Sequence, residues 1–321
     1  MSLRNDDPGR RHEALYVSPH EDDVWLSCAG RLLSEKAQGL RPLVAIVFSS
    51  AARGDGDAGR ALERLGVATR RLGFSPAPER NEFYRSFSRA SFERHSEDER
   101  VLGELAGRLN DLAVETRARH VYLPLGAGSH VDHRLCHDAG LRALHEGIGR
   151  NVFFYEDRPP ALIPGTVRMR LSAVGARLPP AATDIRDETS LLRLLWRHQR
   201  AAFMRAERLG LRERGRFLTG LAASFRASRA WNPARAFGLR LQPVLEGLSE
   251  TDSEGLLSVL GGESRVAELY GSRQRLEQLC RAHAKRLGAP PYVERYWLLL
   301  PPRDEAGLIG AGVAGSPTEE G

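Results

Sequence analysis

The chain has 321 residues, 41% hydrophobic and 27% charged, enough for one large α/β domain or two smaller ones. No apolar run is long enough to span a bilayer, since Trp297-Leu298-Leu299-Leu300 stops at Pro301-Pro302, and residues 1–11 are polar, so a cytoplasmic protein without membrane insertion is expected. The net charge of +6 invites nucleic acid, but the arginines are spread among Asp and Glu along helical segments, which predicts a solvated basic surface and no nucleic-acid partner.

The first half alternates strand-like and helix-like segments. Short runs rich in Val, Leu, Ile, Phe or Tyr predict strands at 13–18, 42–48, 120–125 and 151–155. Apolar residues recurring at three and four predict helices at about 23–38, 58–73, 95–117 and 131–146; Leu62, Leu65, Ala68 and Leu72 carry the second, Leu102, Leu105, Leu109 and Leu112 the third. Such alternation implies parallel pairing through right-handed crossovers, hence an α/β fold: a Rossmann-like open, mostly parallel sheet flanked by helices. The second half reads as a largely helical C-terminal extension. A long arginine-rich helix is expected at 187–209, mixed helix and turn over 210–260 with Asn232-Pro233 as a break, and a helix at 263–287. A last apolar segment covers 292–300. Residues 13–300 are expected to form a single domain, with 1–12 and 303–321 disordered by composition. The three cysteines, Cys28, Cys136 and Cys280, are an odd count without a C-x-x-C pair, which argues against a disulfide framework and a Cys-rich zinc site.

Two acid-and-histidine clusters carry the chemistry. His20-Glu21-Asp22-Asp23 follows the first strand, and His130-Val131-Asp132-His133 follows the strand at 120–125. Loops at the carboxyl ends of parallel strands converge on one crevice. Zinc takes neutral imidazole and carboxylate ligands, three from the protein, leaving a fourth position for water. His20 and Asp23, three apart on a turn leading into a helix, can face one ion, with His133 as third ligand. Asp22 must project differently and is placed to accept a proton from water. His130 is placed to stabilise an oxyanion or protonate the leaving amine, with Asp132 holding its imidazole in one tautomer.

The stretch Ser18-Pro19-His20-Glu21-Asp22-Asp23-Val24-Trp25-Leu26-Ser27-Cys28-Ala29-Gly30 resembles the signature of the PIG-L/LmbE family of zinc-dependent N-acetylglucosaminyl deacetylases, and His130-Val131-Asp132-His133 its second motif, His-x-Asp-His. The resemblance implies zinc on His20, Asp23 and His133, Asp22 as general base, and His130 assisting the transition state. It extends to the polar loop at 49–59, to Arg60-Ala61-Leu62-Glu63 and Leu72-Gly73-Phe74, and loosely to 187–200 and 292–300. Glu21 stands where the family commonly has Pro, Val24 where it has Glu, and Ala29-Gly30 for a Gly pair. The segment 205–290 exceeds the compact members and offers a lid, a docking surface or a contact in a homo-oligomer.

The implied activity is hydrolysis of an N-acetyl or other N-acyl group from an amino-sugar conjugate. Its rivals are a metallohydrolase of another amide or ester and a nucleotide-binding or regulatory domain with a degenerate site. Gly54-Asp55-Gly56-Asp57-Ala58-Gly59 matches G-x-G-x-x-G, but its aspartates would repel a pyrophosphate and it starts well after the strand ends at Phe48. Arg53 and Asp55 are better placed to bind sugar hydroxyls. His137, four residues after His133, lacks the Glu of a helical zinc motif and reads as structural.

Overall fold

The computed structural model describes residues 12–50, 61–63, 65–144, 150–179, 190–201, 209–261, 264–289 and 291–301. Seven strands form one sheet: β1 (Ala14–Ser18), β2 (Pro42–Phe48), β3 (Ala68–Phe74), β4 (His120–Pro124), β5 (Asn151–Tyr155), β6 (Leu241–Leu248) and β7 (Tyr292–Leu299). Their spatial order is β3-β2-β1-β4-β5-β7-β6. The first five run parallel, whereas β7 lies antiparallel to β5 and β6 antiparallel to β7. Every residue of β1 and β2 is buried, the continuous apolar run that a parallel strand needs when helices cover both its faces.

The period-two alternation of a strand sorts side chains between two cores. Leu15, Val17, Leu43 and Ala45 point into one, packed by helices α3 (Asp98–Thr116) and α4 (Val131–Leu144), which follow α1 (Asp23–Ala37) and α2 (Phe87–Phe92) in the chain. Tyr16, Val44 and Ile46 point into the other, shared with Trp25 of α1 and with Leu256, Leu276 and Tyr270 of the C-terminal segment. That segment supplies α5 (Thr166–Ala173), α6 (Leu191–Arg200), α7 (Leu211–Ala230), α8 (Glu250–Gly261), α9 (Ser264–Tyr270) and α10 (Arg273–Leu287). A satellite cluster of Ile163, Met169, Leu194, Phe217, Leu221 and Phe225 holds α5, α6 and α7 together.

Several expectations need correction. Of the helix expected at 58–73, residues 61–63 are helical and 58–60 and 64 lie outside the described residues; Gly66, at φ +61°, turns the chain, and residues 68–74 form edge strand β3. An edge strand has one free side, so Arg70 and Arg71 sit in it without loss, and the leucine spacing was misleading. The helix at 263–287 divides at Gly271, φ +82°, where the Ser272 side chain accepts from the Arg275 amide and starts α10. Within 187–209, α6 covers Leu191–Arg200. The extension also contributes β6, an element the mixed pattern of 210–260 concealed.

Strand order reverses between β1 and β4: the chain proceeds outward from β1 to β2 and β3 on one side, and from β4 to β5 on the other. The loops leaving β1 and β4 therefore diverge above the sheet and leave a crevice at its carboxyl edge.

Candidate metal centre

The turn after β1 is shaped by short-range hydrogen bonds. Ser18 Oγ accepts from the Val24 amide at 3.2 Å, and Asp23 Oδ2 accepts from the His20 amide at 2.7 Å. Asp22 occupies the N-cap position of α1 without making a side-chain cap bond, and it is buried. The same Asp23 Oδ2 lies 3.2 Å from His20 Nδ1 and 3.5 Å from His133 Nε2. Three donor atoms from two loops thus face one point, within 4.8 Å of one another.

The remaining imidazole nitrogens are both tied to carboxylates. His20 Nε2 meets Asp132 Oδ2 at 3.1 Å, and His133 Nδ1 meets Asp157 Oδ1 at 2.6 Å. Each ring is thereby fixed so that its inner nitrogen points at Asp23. Metal-ligating histidines almost always give their outer nitrogen to a carboxylate, a backbone carbonyl or water, so the donor set fits a divalent ion.

Asp157 was not anticipated. It follows β5, and its Oδ2 also accepts from the amides of Gly126 and Ala127, at 2.6 and 2.9 Å, anchoring the loop that delivers His130 and His133. The sequence signal was an acid two residues beyond an apolar strand, at the edge where α/β sites form. Asp132 differs from expectation as well. Its carboxylate is fully buried and bonds His20, the Ala77 amide at 2.9 Å and Arg80 Nη1 at 2.9 Å, whereas His130 Nδ1 lies 4.0 Å from it. His130 instead accepts at Nδ1 from the backbone amide of Asp132, at 3.3 Å. The helical spacing 130–132 cannot bring the two side chains together once Arg80 and His20 claim the carboxylate. Arg53 and Asp55 lie outside the described residues.

The electrostatics follow the contacts. Burial opposes charge on His20, but hydrogen bonds to Asp132 and Asp23 prevail and raise it to about 10. His133 is likewise raised against burial, by Asp23 and Asp157. Asp23 is held well below the carboxylate range by His133 and His20, and Asp132 by His20, His130 and Arg80, again against burial. His130 goes the other way, pushed down to about 3 by burial, with His20 and His133 adding to it. It is therefore a neutral imidazole whose ring proton sits on Nε2, opposite the nitrogen that accepts from Asp132.

The chain is similar to several known proteins. Residues 15–144 match the family model for PIG-L, described as GlcNAc-PI de-N-acetylase. A 2'-N-acetylparomamine deacetylase of Streptomyces fradiae is 32% identical over 173 residues, 47% of this chain, and the match spans 59% of that relative's length. Among solved structures, a deacetylase of the teicoplanin biosynthesis pathway in complex with bog aligns over 91% of this chain and 99% of its own at 19% identity, TM-score 0.55. The zinc-inhibited form of teicoplanin deacetylase gives 18% identity and 0.54, covering 91% and 99%, and the A40926 pseudoaglycone deacetylase 19% and 0.51, covering 91% and 98%. At those identities the likeness is one of fold.

Proposed function

We propose that this chain, a PIG-L protein over residues 15–144, is a zinc-dependent hydrolase that removes an N-acetyl or other N-acyl group from an amino-sugar conjugate. The observation that carries the reading is the pair of carboxylate-backed imidazoles aimed, with Asp23, at one point, the His130 ring lying 5.6 Å from that of His20 and Asp22 preceding Asp23 in the chain. A deacetylase relative acting on N-acetylparomamine supports the substrate class.

His20 Nδ1, Asp23 and His133 Nε2 would hold the metal, which supplies Lewis-acid polarisation of the amide carbonyl. Asp22 takes a proton as water adds to the carbonyl carbon. Neutral His130 donates from Nε2 to the oxygen that gains charge, the role of an oxyanion-hole donor. When the C–N bond breaks, Asp22 returns its proton to the departing nitrogen, and the products are a carboxylate and a free amine. Because His130 is neutral, it donates this hydrogen bond without adding a positive charge that would compete for Asp22.

The test is acetate release from a panel of N-acetylglucosamine conjugates, before and after chelation and zinc restoration. Activity should vanish with the metal and return with it. Asp22→Ala should lose turnover by at least a hundredfold while keeping one equivalent of metal. Full activity in Asp22→Ala sinks the assignment of the base, and chelator-resistant turnover sinks the metal dependence.

A further inference from the structure

The carboxylate that backs His20 has a cation of its own, and that cation comes from outside both motifs. Residues 77–80 form a single helical turn after β3, and the turn ends on Arg80. Arg80 Nη1 donates to Asp132 Oδ1 at 2.9 Å and to the Ser75 carbonyl at 3.0 Å, while Nη2 lies 3.4 Å from Asp98 Oδ1 at the start of α3. The guanidinium carbon stands 5.2 Å from the ring centroid of Phe48 and 5.6 Å from that of Tyr84. Tyr84 Oη in turn donates to Asp98 Oδ2, and the Phe48 ring lies 6.3 Å from that of His20. With its side chain 9% exposed, Arg80 is held between two carboxylates, a carbonyl and two aromatic rings. So many contacts fix a planar donor in one orientation.

The two oxygens of Asp132 are divided between different partners. Oδ2 meets His20 Nε2 at 3.1 Å and accepts from the Ala77 amide at 2.9 Å, whereas Oδ1 accepts from Arg80. A carboxylate only accepts, so His20 Nε2 carries the proton of that bond and Nδ1 is the nitrogen left facing Asp23. Residues 77 and 80 thus grip both oxygens from one short turn. The other outer carboxylate is held differently: Asp157 keeps Oδ1 on His133 and Oδ2 on the Gly126 and Ala127 amides. Asp132 is fully buried. A buried carboxylate stripped of its cation is strongly disfavoured, and it escapes by rotating toward another donor or by taking up a proton. Either change removes the acceptor from His20 Nε2 and frees the ring to turn.

We infer that Arg80 is a positioning residue of the proposed metal centre. By holding Asp132 Oδ1 it keeps Oδ2 on His20 Nε2, and so aims His20 Nδ1 at the point shared with Asp23 and His133. It acts through Asp132 and touches none of the three metal-facing side chains. The inference rests on the metal reading of that point, but the chain of contacts from Arg80 to His20 exists without a metal.

Two readouts on the full chain test this: zinc affinity by competition with a chromophoric chelator, and the His20 Nε2–H resonance of the metal-free protein with isotope-labelled histidine. The resonance is assigned by its loss in His20→Ala. Arg80→Met, which removes every donor, should weaken zinc binding by about tenfold or more and shift the His20 resonance. Arg80→Lys returns a charge and a donor at one point and should recover part of both effects. A purely structural staple would lower the urea midpoint of Arg80→Met and leave the ring proton and the zinc affinity of the folded protein alone. Should Arg80→Met fail to fold, Arg80→Gln, a neutral donor of shorter reach, takes its place with the same expected loss. A folded neutral variant that binds zinc like the parent, an unmoved His20 resonance, or an Arg80→Lys variant as weak as the neutral one overturns the inference. If the parent itself takes up no zinc, the metal reading falls, and the resonance alone still decides whether Arg80 holds His20.

Discussion

Asp157 and Asp132 decide how the two histidines can be used. Each removes one imidazole nitrogen from competition and turns the other toward Asp23. Loss of such an outer carboxylate usually costs ten- to a hundredfold in metal affinity. Asp157→Ala should weaken zinc binding by about that factor, read by competition with a chromophoric chelator. Asp157→Asn, whose single oxygen can still accept from the loop amides but whose NH2 then faces His133 Nδ1 and cannot accept from it, should keep the loop anchored while the loss of affinity remains. Equal affinity in both variants and the parent would show that the ring is oriented by packing alone. That His20, Asp23 and His133 come together was legible because each motif compresses its residues into four positions after a strand. Asp157 was not, since its value lies in backbone amides 30 residues away. The partner of Asp132 was misjudged for a related reason: Arg80 and the Ala77 amide arrive from a turn no sequence pattern ties to it.

Helix α1 is not continuous. Cys28, at φ −130° and ψ 16°, breaks it, and Glu294 of β7 reaches across to accept from the amides of Gly30 and Arg31 at 2.8 and 3.0 Å. Tyr296 Oη donates to the same buried carboxylate at 2.7 Å. A Cβ on Gly30 would sit 3.1 Å from Glu294 Oε1, so a larger residue there would push against the carboxylate that caps the break. Glu294→Leu leaves the amides and the hydroxyl unpaired, so a loss of about 2–4 kcal/mol is expected in urea unfolding. Helix α4 gives the opposite lesson. Replacing a helical glycine with alanine normally gains up to about 1 kcal/mol. At Gly140, however, the new Cβ would lie 2.4 Å from Cδ1 of buried Leu123 in β4, and such overpacking costs about 1–3 kcal/mol. The clash outweighs the propensity, so Gly140→Ala should lower the urea midpoint; a higher midpoint would show that Leu123 yields freely. Strand β3 eluded pattern reading because the side chains of an edge need not alternate cleanly. The central strands were legible because burial on both faces left them no choice but apolar residues.

Across the whole molecule, several buried histidines stay neutral. Burial pushes His198 down to about 3 and lowers His137 and His283 well below the usual imidazole value, with nearby arginines adding to the effect at the last two. An unfolded imidazole takes its proton near pH 6.5, whereas these do so only in stronger acid once folded. The unfolded state therefore binds more protons below pH 6.5, and stability falls as the pH drops. Each group contributes up to about 1.4 kcal/mol per pH unit. His20 and His133, raised instead, add a smaller slope of opposite sign near pH 6.5, where their unfolded rings are half protonated, and none well below it. Urea unfolding at pH 6.5 and 5.0 should show the fall, and His198→Gln should flatten it. A stability independent of pH over that interval would mean the buried rings protonate without unfolding. No described helix is long and apolar enough to cross a membrane.

The carboxylate that closes the break in α1 comes from residue 294, more than 260 positions after the amides it accepts from. During synthesis, the metal-facing turn at residues 20–23 emerges from the ribosome long before the strand that steadies its helix. A nascent chain therefore carries its chemistry in a form it cannot yet hold still. If the proposed metal site depends on that support, chains truncated before β7 should take up zinc more weakly than the full chain, read by competition with a chromophoric chelator.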